Sequence, residues 1–323
     1  MRAIRIHAFG GPDVLQFDEV PDPAPRAGEA VVRVEAAGVN FIDVYHRTGA
    51  YKAPLPSTLG QEGAGTVEAV APDVEFVAPG DRVAWAGIPA GAYAEKAAVP
   101  ASRLVRLPVG VTARQAAAAM LQGMTAHYLA CSTYPLKPRD TCLVHAAAGG
   151  VGLLLVQIAK LRGATVIGTV SNAEKARLAR GAGADATVDY TKEDFEGAAR
   201  RLTEGRGVHV VYDSVGRSTF EKSLASLAPR GMLVLFGQSS GAVEPLDPQV
   251  LNQRGSLYLT RPTLAHYIAA REDLLARAGE ILGWVRDGTL KLRVEREFPL
   301  AEAAKAHRAL EERQTSGKVL LIP

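Results

Sequence analysis

The hydrophobic positions change rhythm twice along the chain. Through the first third, apolar and polar residues alternate over short runs: AVVRVEAAGV, AGTVEAV, DRVAWAG and AYAEKAAV. A period of two belongs to half-buried strands, and Gly10-Gly11-Pro12, Gly28-Glu29 and Pro79-Gly80-Asp81 supply the turns between them. Many short strands joined by tight turns predict a compact, barrel-like β unit. Near Thr112 the pattern becomes Ala-rich and helical over 113–130, with Thr112 as its N-cap.

From Thr141 the rhythm changes again. TCLVHAA reads as a strand, VGLLLVQIAKL as a helix, ATVIGTV as a strand and AEKARLARGAG as a helix ending at Gly. VHVVYDSV, TFEKSLASLA and GMLVLFG continue the series, and SLYLTR closes it. Strands alternating with helices of this length imply right-handed crossovers and a doubly wound parallel sheet in an α/β fold. After about residue 262 the alternation stops. Helical runs at 264–286 and 300–313 flank a strand near 292–298, and KVLLIP is a last strand. The chain is read as returning to complete its first domain.

Composition narrows the class. A chain of 323 residues exceeds what one core usually organises, so two domains are expected. Hydrophobic residues at 47% and charged residues at 22% are ordinary for a globular protein, and a net charge of +3 does not point to nucleic acid or anionic lipid. Cys131 and Cys142 make neither a disulfide framework nor a four-cysteine zinc lobe. The opening MRAIRIHAFGGP alternates rather than forming the apolar core of a signal peptide, and no run reaches the roughly 18 apolar residues of a membrane span. A cytoplasmic protein is expected.

The strongest local motif is His145-Ala-Ala-Ala-Gly-Gly-Val-Gly152, between an apolar strand and an apolar helix. Ala147, Gly149 and Gly152 form Ala-x-Gly-x-x-Gly, a variant of the dinucleotide fingerprint. Small residues there, Gly150 among them, let the backbone approach a pyrophosphate, while a helix starting near Val151 directs its free N–H groups at the anion. About twenty residues on, an NAD-specific site would place an acid on the ribose 2′-hydroxyl. This chain has Ser171 there and Lys175 four residues later, which favours a 2′-phosphate and hence NADPH; Glu174 is a displaced acid that complicates the reading. Tyr190, at the end of the third strand, is placed to cover the same phosphate. Open parallel sheets bind ligands at the carboxyl ends of their strands. Ser214-Val215-Gly216 and Gly237-Gln238-Ser239-Ser240-Gly241 are therefore candidates for ribose and nicotinamide contacts, with Asp213 either orienting these loops or satisfying backbone amides.

These motifs, with several in the first third, resemble the medium-chain dehydrogenase/reductase superfamily, nearest to its zeta-crystallin-like NADPH:quinone oxidoreductases. The resemblance runs through Gly10–Leu15, Gly38-Val39-Asn40-Phe41-Ile42-Asp43, Gly60-Gln61-Glu62-Gly63-Ala64-Gly65 and Pro79–Val83. It continues through 145–152, Tyr212–Gly216, Phe236–Gly241, Leu259–Pro262 and Gly317-Lys318-Val319. It implies a GroES-like catalytic domain (1–123, completed by 263–323), a Rossmann NADPH-binding domain (124–262) and a homodimer. Zinc alcohol dehydrogenases have a Cys at the place of Asn40 and a His at that of Gln61, so neither first zinc ligand is present. Without a thiolate or imidazole set no metal is expected.

The resemblance places Asn40, Asp43 and Tyr45 by nicotinamide and substrate, with Tyr51 at the cleft. Asn40 would hydrogen-bond the cofactor or the acceptor carbonyl, and Tyr45 or Tyr51 would shape a flat pocket or donate a proton. Tyr128, Phe236, Arg261 and Lys318 are further candidate cofactor contacts, the last two at phosphates or paired with acids. The implied activity is metal-free reduction of a quinone by NADPH. Reduction of an enone or enal double bond needs the same flat acceptor and is not separated from it. A structural or RNA-binding role for an NADPH-bound protein is the other class, disfavoured by the balanced charge.

Overall fold

The strand Glu29–Val39 is the spine of the first sheet. It buries eight of its eleven residues wholly or nearly so, as a strand covered on both faces must. Three strands pair with it antiparallel: Glu62–Val70, Lys96–Pro100 and Lys318–Ile322. Arg82–Ala86 and then Val105–Arg106 extend the sheet on one side, and Val294–Pro299 extends it beyond Lys318–Ile322 on the other. A smaller sheet sets Arg2–Ile6 between Leu15–Glu19 and Ser57–Thr58. Ile4, Val32, Trp85, Tyr93, Leu104, Val319 and Leu321 share one core, so the last strand is as integral as the first.

The structure is a computed structural model describing residues 1–87 and 91–323. The chain forms two compact units, 1–124 with 267–323, and 125–266. The second unit carries a parallel sheet. Its strands, in spatial order, are Ala186–Asp189, Thr165–Val170, Thr141–Val144, Val208–Asp213, Leu227–Leu235 and Tyr258–Thr260. Numbered along the chain this is 3-2-1-4-5-6, the Rossmann order. The order reverses between Thr141–Val144 and Val208–Asp213, so their carboxyl ends flank the crevice where such sheets bind ligands. The α/β class and the pairing of a Rossmann sheet with a β-rich GroES-like unit agree with the sequence reading.

Local chemistry explains where elements start and stop. The helix Ala113–Tyr128 is capped by Thr112, whose Oγ1 accepts from the Gln115 N–H at 3.2 Å while Gln115 Oε1 accepts from the Thr112 N–H at 2.9 Å. It gives way to a π-helical turn, Leu129–Thr133, just short of the expected end. The run expected to be helical over 264–286 is two helices, Leu264–Tyr267 and Arg271–Arg286. Ala270 is extended, and Glu272 and Asp273 fill the next first turn, where carboxylates favour a new N-terminus. The helix Phe41–Thr48 was not anticipated. Among the described residues no helix is long and apolar enough to cross a membrane.

Removing the cap at Thr112 tests its part in this fold. Thr112→Ala is expected to lower stability by about 1 kcal/mol, read as a shift of the urea midpoint at unchanged slope.

Candidate active site

The turn after Thr141–Val144 is tight and leads straight into a helix. Ala146 takes a left-handed φ of 49°, and the Gly149 N–H closes the turn on the Ala146 carbonyl at 2.8 Å. The helix Gly150–Leu161 begins there with no side-chain cap. Its first amides, on Gly150, Val151 and Gly152, have no partner within the helix. Gly152 cannot be replaced without moving the turn: a Cβ there would lie 2.2 Å from the Ala146 carbonyl oxygen. Ala147 is fully buried, and its N–H donates to Thr169 O at 3.0 Å, tying the turn to the neighbouring strand.

At the end of that neighbouring strand, Ser171 precedes the helix Ala173–Gly181. Asn172 caps it, accepting from the Lys175 N–H at 2.9 Å. Arg177 grips Glu174 through two bonds, 2.9 Å from Nε and 2.7 Å from Nη2, so that carboxylate is neutralised along its own helix. Tyr190 donates its N–H to Val170 O at 3.1 Å, which sets it beside the strand end carrying Ser171. The backbones of Ser171 and Tyr190 thus lie near one strand end, with Lys175 in the first turn of the helix that follows.

The loops at the other side of the crevice hang on Asp213, which is fully buried. Its Oδ1 accepts from the Val215 and Gly216 amides at 2.7 and 3.0 Å. Its Oδ2 accepts from Thr219 Oγ1 and Ser223 Oγ at 2.7 and 2.9 Å. Ser223, its proton spent on Asp213, accepts from His145 Nε2 at 2.9 Å, leaving Nδ1 to accept from Thr169 Oγ1 at 3.0 Å. Burial lowers the His145 pKa, consistent with this neutral ring. Asp213 therefore orients loops. Ser239 N–H to Ser214 O (3.2 Å) and Phe236 N–H to Asp213 O (2.8 Å) bring the segments 214–216 and 236–239 together, Gly237 and Gln238 among them. Arg261 is exposed at the end of the edge strand.

In the first unit, Asn40 ends the spine strand and precedes the helix Phe41–Thr48. All four hydrogen-bonding positions of its amide are taken. Oδ1 accepts from Lys318 Nζ at 2.9 Å and from Gln122 Nε2 at 3.1 Å; Nδ2 donates to Glu62 Oε2 at 2.8 Å and to Gly38 O at 3.2 Å. Lys318 and Glu62 form a buried ion pair at 2.5 Å, and the Leu121 N–H donates to Glu62 Oε1 at 2.6 Å. The pair spans the spine strand over Gly38, where a Cβ would lie 2.3 Å from Glu62 Oε2 and 2.7 Å from Lys318 Cε.

Three expectations are corrected here. Lys318 is 2% exposed with its ammonium committed to Glu62 and Asn40, so of its two expected roles the pairing with an acid holds, inside the unit and not at the surface, and the phosphate contact does not. Asp43 is 1% exposed, and its carboxylate accepts from Asn40 N–H (2.9 Å), Gln61 N–H (3.2 Å) and Tyr93 Oη (3.0 Å); it positions the site without facing substrate. Burial pushes its carboxyl up to about 7 against these donors. Tyr128 is 2% exposed, so its ring packs in the interior and forms no open cofactor wall.

The half-buried side chains beside Asn40 are aromatic. Tyr45 and Tyr51 have ring centroids 5.2 Å apart, Phe41 lies 6.3 Å from Tyr45, and His46 meets the edge of Tyr51 at 5.7 Å. Gln61 Nε2 is 2.7 Å from His46 Nε2, which as acceptor leaves the imidazole neutral. Burial lowers the His46 pKa in the same sense. Glu62, Gln122, His46 and Gln61 were not singled out as site residues. For Lys318 a signal existed: its charge opens an otherwise apolar strand.

A turn for a dinucleotide phosphate on a Rossmann sheet, with an amide and aromatic cluster on a GroES-like sheet, defines the medium-chain dehydrogenases and reductases. The sequence model described as "Alcohol dehydrogenase GroES-like domain" matches residues 26–109, and that described as "Zinc-binding dehydrogenase" matches 150–275. A quinone oxidoreductase of Pseudomonas aeruginosa is 49% identical over 323 residues, 100% of this chain and 99% of that protein. A 2-haloacrylate reductase of a Burkholderia species is 43% identical over 326 residues, 98% of each chain. The crystal structure of Escherichia coli quinone oxidoreductase complexed with NADPH superposes with a TM-score of 0.98 at 45% identity, covering 100% of both chains. The chain belongs to the quinone oxidoreductase family of this superfamily.

Two measurements probe the cluster. Lys318→Met leaves Glu62 buried without a counter-ion and is expected to cost about 3–5 kcal/mol of stability; a loss below about 1 kcal/mol would mean that water reaches the pair. The second concerns Asp43. Its folded pKa stands above the ordinary 3.8, so the folded state holds the proton more tightly, and this stability is lost as pH rises from about 4 towards 7. Asp43→Asn removes that dependence. The variant-minus-wild-type unfolding free energy should rise by about 1.4 kcal/mol per pH unit between about pH 4 and 7; a flat difference would return Asp43 to an ordinary carboxyl.

Proposed function

We propose that this protein is an NADPH-dependent quinone oxidoreductase. The observation that carries the cofactor choice is the strand end at Ser171. A hydroxyl, a lysine four residues on and a helix start belong to that strand end, while the nearby acids Glu174 and Asp189 are paired with Arg177 and Lys192. A 2′-phosphate finds cationic and hydrogen-bonding partners and no unneutralised carboxylate. NADPH, once bound, supplies the reducing equivalents. The amides of Gly150, Val151 and Gly152 would hold its pyrophosphate, with Ala147 and Gly149 keeping the turn close. Ser171, Lys175 and Tyr190 would hold the 2′-phosphate. Ser214, Phe236, Gly237, Gln238 and Ser239 would line the ribose and nicotinamide half, and Arg261 would meet a phosphate.

In the first unit, Tyr45 and Tyr51 offer a flat aromatic surface to a quinone ring, and Asn40 is the donor for its carbonyl. The bond from Asn40 Nδ2 to Gly38 O, at 3.2 Å, is the longest of its four and the one an acceptor carbonyl would replace. The quinone takes two electrons and two protons to become an aromatic hydroquinone, and that product drives the reaction without a Lewis acid. A zinc-independent course fits the donors present, since Asn40 and Gln61 are amides and a tetrahedral zinc site wants thiolate or imidazole. The exposed edge residues Tyr258 and Leu259 of the parallel sheet support a homodimer joined along that strand. Cys131 and Cys142 form no disulfide, in keeping with the cytoplasm.

A second reading is favoured by the 2-haloacrylate reductase relative: an electron-poor carbon–carbon double bond as acceptor. NADPH oxidation at equal concentrations of a quinone, an enone and 2-chloroacrylate, all in EDTA, separates the two. Faster turnover of the quinone supports the first reading, and a preference for either alkene replaces it with the second. For the cofactor site, Lys175→Ala should raise the KM for NADPH roughly tenfold, the worth of one charge-assisted bond, and leave that for NADH unchanged. Equal effects on both cofactors would remove Lys175 from the 2′-phosphate.

A further inference from the structure

His307 lies on the helix Ala303–Glu311, fully buried, and takes no part in the chemistry outlined above. Its ring stands between two donors. Arg47 Nη1 is 3.1 Å from Nδ1, and Tyr93 Oη is 3.2 Å from Nε2. A guanidinium can only donate, so Nδ1 accepts and the ring proton sits on Nε2. Nε2 then donates to Tyr93, and Tyr93 turns its own proton to Asp43 Oδ2 at 3.0 Å. The bonds therefore run one way, from Arg47 to Asp43.

Both ends are anchored. Arg47 is held by Glu311 through two bonds of 2.7 and 2.8 Å, and its Nε donates to Gly10 O at 3.0 Å. Asp43 holds the backbone amides of Asn40 and Gln61. Arginine does not release its proton at any ordinary pH, so the chain cannot serve as a proton conduit. Burial and the facing guanidinium push the His307 pKa down to about 3, which keeps the ring neutral. What such a chain does is fix geometry.

We propose that His307 is a positioning residue for the reaction at Asn40: through Tyr93 it orients the Asp43 carboxylate, which sets the backbone at Asn40 and Gln61. The proposal rests on the reading of Asn40 as the donor to the acceptor carbonyl. Asp43 links three stretches of the first unit, at 40–43, 60–61 and 93, and His307 ties them to a helix more than two hundred residues later. Hydride transfer is sensitive to such placement, because small displacements of a positioned group cost rate more than affinity.

The test uses Tyr93→Phe, His307→Leu and the double variant, with quinone turnover and amide deuterium uptake as readouts. Each single variant should lower kcat roughly tenfold, as losing one positioning bond would, with the KM for NADPH unchanged. Because both cut the same chain, the double variant should fall no further than the worse single one. Deuterium uptake should quicken at the Asn40 and Gln61 amides ahead of the rest of the first unit. Additive losses, unchanged kcat, or uptake rising evenly across that unit would overturn the proposal. If His307→Leu does not fold, the near-isosteric Tyr93→Phe decides alone by the same kcat and uptake criteria. Wild-type turnover tests the quinone reading separately. A wild type silent with every acceptor would defeat that reading and still leave the uptake comparison to decide whether the chain holds these amides.

Discussion

Two opposite charges buried against one another constrain the first unit more than any other contact. Each ion taken from water costs several kcal/mol, and only close approach with every remaining bond satisfied offsets that cost. Glu62 and Lys318 meet the condition: they touch at 2.5 Å, Asn40 bonds both, and the Leu121 amide fills the second carboxylate oxygen. The arrangement requires the strands Glu62–Val70 and Lys318–Ile322 to lie on opposite sides of the spine strand, and requires Gly38 between them. The same requirement fixes the Asn40 amide, whose oxygen meets only donors and whose nitrogen meets only acceptors. Electrostatics thus settles an orientation that a carboxamide alone would leave ambiguous.

The two halves of the chemistry are built on different principles. In the Rossmann unit the groups proposed to face the ligand are mainly backbone amides at strand ends, and the buried Asp213 holds the amides of one such loop. In the GroES-like unit the groups proposed to face the ligand are side chains, and the buried Asp43 holds the backbone that carries Asn40. Asp213 and Asp43 play corresponding parts. Each is fully or almost fully buried, and each accepts from two backbone amides, of one turn for Asp213 and of two separate stretches for Asp43. Carboxylates suit the task because they accept several bonds and donate none when ionised.

Much of the fold was legible because its signals are local. The alternation from Thr141 onward predicted a parallel sheet, and the small-residue turn at 145–152 lies where the first strand meets its helix. Thr112 announced its cap through Gln115 three residues later. What escaped depends on distance along the chain. The helix Phe41–Thr48 has only eight residues, too few for a periodic pattern, and its capping partner Asp43 resembled a reactive acid. Lys318 and Glu62 are 256 positions apart, and Tyr93 and His307 are 214 apart. No periodicity or spacing rule encodes such pairings. They follow from the order of strands across a sheet, which pattern alone does not supply.

The placement of Lys318–Ile322 beside the spine strand also bears on synthesis. The Rossmann unit is one continuous segment, 125–266, and its contacts are complete once that segment has left the ribosome. The GroES-like unit has most of its strands before that segment and two, Val294–Pro299 and Lys318–Ile322, after it. Until residue 318 emerges, Glu62 has no cation, and the edge of the spine strand near Val39 has no partner. The nascent chain therefore carries an unfinished β unit past the whole of the Rossmann segment, and the buried ion pair closes only when Lys318 arrives.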